Sequence, residues 1–276
     1  MTNPRSPFGL PRRDSNGANG AGGHDDDDDG FGGGSGGPGG PDGPGDGDGP
    51  RDLGGNNPDE ELTLSIKGVR ARQGEDPGEL DLEIETTRGV ISAHFTPVEG
   101  KTGTAVFLGG AGGGVRGPAD EMYVTLAGEL ALAGVSTLRL EYRHPGEFEE
   151  CVMDALAGCS FLRGIGAERA VVVGHSFGGA VAVKAGELAP LIAAVCGLSS
   201  QRFGTFEVER LAKPLLLIHG SKDEVLDQEA SRDIYERARD PKRLVILEGD
   251  GHGLVQHADE VRSLVTRFVL DHAGEA

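Results

Sequence analysis

Six short apolar runs punctuate the chain: TAVFLGG (104–110), STLRLEY (136–142), AVVVG (170–174), IAAVCGLS (192–199), PLLLIHG (214–220) and RLVILEG (243–249). Each is nearly continuous in aliphatic residues instead of alternating, the pattern of strands covered on both faces. Helical periodicities lie between and after them: Met122, Leu126, Leu130 and Ala133; Val181, Ala185 and Leu188; then Val261, Leu264, Val265, Phe268 and Val269 at i, i+3, i+4, i+7 and i+8. Strand and helix in alternation imply right-handed crossovers, hence a mostly parallel sheet with helices on both faces. Three earlier runs, 62–69, 80–86 and 90–96, read as strands that open the domain. Leu80, Leu82 and Ile84 alternate with acids, as in an antiparallel edge with one wet face, and Arg88-Gly89 reads as a hairpin turn. Ligands of such sheets bind beyond the carboxyl ends of the strands. Functional residues are therefore expected just after the apolar runs.

Gly-x-Ser-x-Gly, the pattern of a serine nucleophile elbow, occurs twice: GGSGG at 33–37 and GHSFG at 174–178. With 48 glycines and 13 serines in 276 residues, about 0.4 such matches arise by chance, so context must separate them. Residues 1–57, with GGGSGGPGGPDGPGDGDGP and the aspartate run 25–29, have almost no aliphatic side chains to offset the entropy of ordering. They are expected to be a disordered tail, which makes Ser35 a linker serine, and residues 58–276 the single folded domain. No apolar stretch reads as a signal peptide or membrane span, so no membrane insertion is expected. A formal charge of −19 disfavours nucleic acid as a partner. Cys151, Cys159 and Cys196 form no CxxC pair. On one helix Cys151 and Cys159 would be about 12 Å apart, too far for a disulfide, and buried thiols suggest the cytoplasm.

The second match has the context an elbow needs. GHSFG follows a strand directly and opens a helix, so a sharp turn would push the Ser176 hydroxyl above the sheet. A serine needs a base to take its proton, and the base an acid to orient it, both from later strands. Asp223 follows PLLLIHG and His252 follows RLVILEG. GHSFGG, HGSKDEV and GDGHG, in this order, resemble the α/β-hydrolase superfamily, in particular its cap-free dienelactone hydrolase and carboxylesterase branch. The likeness covers roughly 80–272. It implies an α/β-hydrolase fold with Ser176 as nucleophile, His252 as general base and acid, and Asp223 as orienter. Glu224 and Asp250 are the alternative orienters. His219 reads as a satisfied buried histidine and His257 as a surface one. The oxyanion hole is expected from the N–H groups of Phe177 and Ala111, with Gly112 as alternative; Gly109-Gly110 stands where the family usually has His-Gly.

Gly112 to Gly117 also spells GxGxxG after a strand, with Glu141 placed to meet a ribose, which is a rival dinucleotide-binding reading. Pro118 delays the helix that this fingerprint needs at once. No cofactor and no metal are expected, since no ligand spacing occurs among the histidines. Only residues 200–213 separate the fourth and fifth apolar runs, too few for a lid domain. An open site is expected, walled by 116–123, Arg143-His144-Pro145 and 201–206, with Phe203 and Phe206 as apolar acyl contacts. The reading is a serine hydrolase of a small-molecule ester or related acyl bond. A peptidase, a thioesterase and a non-catalytic hydrolase-like binder are the alternatives.

Overall fold

The computed structural model describes residues 63–274; the tail read at 1–57 and its boundary lie outside the described residues. Three antiparallel strands come first, β1 (Ile66–Gln73), β2 (Leu80–Thr86) and β3 (Gly89–Thr96). The six apolar runs become β4 (Gly103–Leu108), β5 (Ser136–Leu140), β6 (Arg169–His175), β7 (Ile192–Leu198), β8 (Leu215–Gly220) and β9 (Lys242–Leu247), mutually parallel where they pair. One sheet results, ordered β1-β2-β3-β5-β4-β6-β7-β8-β9, with β3 antiparallel to β5.

The first strand is displaced from its expected place. Its ladder runs from Ile66 opposite Thr86 to Gln73 opposite Leu80, so pairing with β2 sets its ends. It is largely exposed, which makes β1 the edge and β2 an internal strand. The acids of β2 then face arginines of β1, Arg70 to Glu83 (3.3 Å) and Arg72 to Asp81 (3.4 Å).

Five helices cover the sheet: α1 (Pro118–Leu132), α2 (Phe148–Gly164), α3 (Phe177–Leu188), α4 (Glu229–Arg237) and α5 (Ala258–Ala273). Met122, Leu126 and Leu130 of α1 join Val261, Val265 and Val269 of α5 over Ala105, Phe107, Val171 and Val173. Alternate residues point to the other face. There Gly158 of α2 meets Leu138 and Leu140, and Gly186 of α3 meets Val195. The periodicities left α2 and α4 unread. Helix α2 is apolar on several sides because sheet and α3 enclose it, with even Asp154 fully buried, so no stripe stands out. Helix α4 buries only Ser231 and Ile234. Between β7 and β8 only the single 3-10 turn Val208–Arg210 intervenes, as the short spacer requires.

Two expected wall residues are structural instead. Tyr123 is fully buried, stacked on Phe107 (ring centroids 4.7 Å apart), and donates its hydroxyl to Leu108 O (3.2 Å). Arg143 has a buried side chain that pairs with Asp154 and Glu150 and donates to Arg88 O (2.7 Å). A buried acid in α2 needs a cation, and Arg143 is the one the turn after β5 supplies. Among the described residues no helix is long and apolar enough to cross a membrane. Cys151, Cys159 and Cys196 are free and buried.

Candidate active site

The carboxyl ends of β4, β6, β8 and β9 converge on one region. At the end of β6 the chain turns through Ser176, whose φ of 57° and ψ of −118° lie where side chains other than glycine rarely go. Close packing enforces the turn. A Cβ on Gly174 would sit 2.0 Å from Gly178 O, and one on Gly178 would sit 2.2 Å from Gly109 O. Both glycines of the motif are therefore required by backbone approach, and the elbow is clamped to the end of β4. The Ser176 N–H donates to Leu198 O (2.8 Å), and Ser176 O accepts from Gly179 N (3.1 Å) and Gln201 N (3.2 Å). Helix α3 starts at Phe177, so its first N–H groups have no intrahelical acceptor and its positive dipole end lies at Ser176.

Asp223 and His252 are brought together. The turns after β8 and β9 interlock: Lys222 N donates to Asp250 O (2.8 Å) and Gly249 N to Ser221 Oγ (2.8 Å). His252 Nδ1 lies 2.7 Å from Asp223 Oδ2. The carboxylate can only accept, so Nδ1 carries a proton, and in the neutral ring Nε2 is the nitrogen with the free lone pair. Asp223 Oδ1 takes the N–H groups of Val225 and Leu226 (2.8 Å each). Burial raises the Asp223 carboxyl pKa. The Leu226 amide, His252 and Val225 outweigh it, so the net shift is downward and the site favours carboxylate.

The alternative orienters lie elsewhere. Asp250 is occupied by Gly251 N (3.0 Å), Gln256 N (3.2 Å) and both His257 N and Nδ1 (3.0 Å), which fold the turn that carries His252. Glu224 is exposed. His257, expected at the surface, is partly buried against Asp250 and caps α5.

Two further histidines belong to this constellation, and sequence reasoning gave neither a role in it. His219 is fully buried as expected, but its Nε2 lies 3.1 Å from Asp223 Oδ2 and 2.9 Å from Leu226 O. Both neighbours are acceptors, so Nε2 is protonated and Nδ1 accepts the Ser231 hydroxyl (2.7 Å). His175 precedes Ser176, and its Nε2 donates to His252 O (3.1 Å), with the two rings 4.8 Å apart. Burial pushes the His175 pKa down to about 4, and burial also lowers that of His219. The position of His219 on the same strand that leads to Asp223 was the one available signal.

No hydrogen bond to a described residue engages the Ser176 hydroxyl, and none joins it to His252. Such bonds are often loose in a free enzyme and tighten around substrate. The segment 109–117 arches over the elbow. A Cβ on Gly110 would lie 3.8 Å from Ser176 Cβ, so Ala111 directly follows the loop residue that meets the elbow. The arch is held by Gly114 N donating to Glu141 Oε1 (3.1 Å) and by Arg139 Nη1 donating to Val115 O (3.3 Å). Glu141, the residue placed to meet a ribose, is thus used inside the loop. After Pro118, Ala119, Asp120 and Glu121 form a left-handed turn (φ 51°, 56° and 58°), and Ala119 N donates to Gly253 O (2.8 Å). The regular helix begins only after it. Away from the elbow, Glu79, Asp81 and His94 gather ligating atoms within 4.8 Å of one another, yet Arg139 and Arg72 already pair with the two acids.

Strand order and elbow together define the α/β-hydrolase fold. The chain superposes on dienelactone hydrolase from Anabaena variabilis ATCC 29413 with a TM-score of 0.63 and 18% identity, over 71% of this chain and 98% of that one. It likewise matches Est1E from Butyrivibrio proteoclasticus (0.60, 20%, 69% and 98%) and the esterase domain of a Rhodothermus marinus protein (0.59, 19%, 75% and 100%). In sequence it is 28% identical over 209 residues to the uncharacterized protein Rv2307c of Mycobacterium tuberculosis, covering 64% of this chain and 73% of that one. No family model matches.

Proposed function

We propose that the protein is a serine hydrolase that cleaves a carboxylic ester of a small molecule through an acyl-enzyme. The observation that carries this reading is the 2.7 Å contact between His252 Nδ1 and Asp223 Oδ2, on the turns beside a strained serine elbow. His252 Nε2 takes the proton of Ser176 as its oxygen bonds to the substrate carbonyl carbon. The N–H groups of Phe177 and Ala111 receive the negative charge that develops on the carbonyl oxygen. The tetrahedral intermediate then expels the alcohol, which collects the proton from His252. Water adds to the acyl-enzyme by the same route, giving the carboxylic acid and free Ser176. Structural neighbours named as esterases favour ester over peptide or thioester. Three free thiols fit a reducing compartment such as the cytoplasm.

A fluorophosphonate probe tests this reading directly. Peptide mapping should find it on Ser176, Ser176→Ala should abolish both labelling and ester turnover, and a folded wild type that resists the probe would favour the binding-protein alternative.

A further inference from the structure

Four phenylalanines form a continuous chain of edge-to-face contacts that starts beside the nucleophile and ends in solvent. Phe177 meets Phe148 (centroids 6.0 Å, planes at 89°), Phe148 meets Phe203 (6.1 Å, 73°) and Phe203 meets Phe206 (5.9 Å, 90°). Such contacts are a favoured aromatic geometry. Phe177 and Phe148 are 5% and 7% exposed, whereas Phe203 and Phe206 are 52% and 51% exposed.

The turn that holds the two exposed rings outward is rigidly made. Buried Thr205 gives its hydroxyl to Arg202 O (2.7 Å), Arg237 Nη1 donates to Thr205 O (2.6 Å), and Gln201 Nε2 donates to Phe203 O (3.0 Å). Gly204, at φ +90°, presses on Phe148 where a Cβ would lie 2.5 Å from the ring. The turn is tied to the elbow itself, because Gln201 N donates to Ser176 O (3.2 Å). Two half-exposed phenylalanines on a turn with this many internal bonds form a preset apolar surface, linked to the elbow through the buried rings of Phe148 and Phe177.

The track also has a direction. His252 reaches the elbow from the side of α1 and α5, where Gly253 O is bonded to Ala119 N. Phe148 opens α2, on the opposite face of the sheet. A leaving alcohol must lie toward His252, which protonates it, so the acyl group is left the aromatic side.

Resting on the serine-hydrolase reading above, we infer that the substrate carries an extended apolar or aryl acyl chain, which leads from Ser176 to the exposed rings of Phe203 and Phe206. Full burial of a methylene is worth about four-fold in binding, and an open track about two-fold. The test is kcat/KM on p-nitrophenyl acetate, butyrate, hexanoate and octanoate for wild type and for Phe203→Ala/Phe206→Ala. Wild type should gain about two-fold per methylene, roughly 60-fold over the six methylenes from acetate to octanoate, at that same increment. The double variant should lose most of the slope, its octanoate-to-acetate ratio of kcat/KM falling at least ten-fold below that of wild type. A flat wild-type profile, or an undiminished slope in the double variant, overturns the inference even while the fluorophosphonate probe labels Ser176. If the double variant does not fold, wild type decides alone: octanoate should inhibit competitively at a concentration at least ten-fold below acetate, and equal inhibition overturns the assignment. Absence of labelling and of all ester turnover is the separate outcome that removes the hydrolase reading beneath it.

Discussion

Asp223→Asn perturbs the site where its hydrogen bonding is least forgiving. All four groups that face the carboxylate are donors: Val225 N and Leu226 N on Oδ1 (2.8 Å each), His252 Nδ1 (2.7 Å) and His219 Nε2 (3.1 Å) on Oδ2. An amide has only one acceptor end. Turned with its NH2 toward the backbone, it forfeits two hydrogen bonds to a charged acceptor, about 3–6 kcal/mol at about 1.5–3 kcal/mol each. Turned the other way, it keeps both backbone bonds and donates to His252 Nδ1. That choice drives the imidazole to its other tautomer, with Nε2 protonated and useless as a base. Rigid backbone donors make the second orientation the cheaper one. The expected result is a fall in kcat of about 10⁴-fold, the size associated with a wrong tautomer in such a triad, with only a small change in melting temperature. Stopped-flow ester hydrolysis and thermal unfolding on the same preparation measure both. Activity within ten-fold of wild type would refute the assignment of Asp223 as the residue that orients His252.

Burial holds the His175 pKa near 4 against an ordinary value of 6.5, so the unfolded chain binds this proton more readily. The associated stability is complete above about pH 6.5 and is lost as pH falls toward 4, by at most about 3 kcal/mol. Melting scans between these limits should fall less steeply for His175→Gln, and equal slopes would remove His175 as a cause. Gly178→Ala places a Cβ 2.2 Å from Gly109 O, with backbone on both sides, and is expected to destabilise by about 3 kcal/mol or more; wild-type melting would disprove the clamp between elbow and β4. Burial raises the Cys151 and Cys159 thiols to about 12. Neither should react with iodoacetamide at neutral pH until urea unfolds the chain, and rapid native alkylation of either would contradict their burial.

The six parallel strands were legible because strands enclosed on both faces are written as unbroken aliphatic runs, and the motif residues follow from that placement. Helix α2 escaped for the same physical reason that made the strands visible: enclosure erases the polar stripe that marks an amphipathic helix. Tyr123 and Arg143 belong to the segments expected as walls, yet their side chains turn inward, one to stack on Phe107 and the other to neutralise Asp154. Both choices depend on partners far along the chain, which local pattern does not encode. The left-handed turn at 119–121 is likewise set by a distant acceptor, Gly253 O.

On the proposed reading of His252 as a base, electrostatics accounts for the two supporting histidines. Something must fix the His252 backbone and the second face of Asp223, and both tasks need an N–H donor in a buried setting. A lysine or arginine could donate, but a fixed cation at the 4.8 Å ring separation of His175 and His252 would oppose protonation of His252 by about 3.5 kcal/mol at an effective dielectric of about 20. That would depress its proton affinity by more than two pH units and weaken it as a base. A neutral imidazole donates the same hydrogen bond without the charge, and the burial that lowers the pKa of both His175 and His219 keeps them neutral. The same reasoning sets a limit at low pH. Once His175 accepts a proton, near 4, it becomes the cation that the arrangement otherwise avoids, although its Nε2–H bond to His252 O persists and is strengthened by the charge.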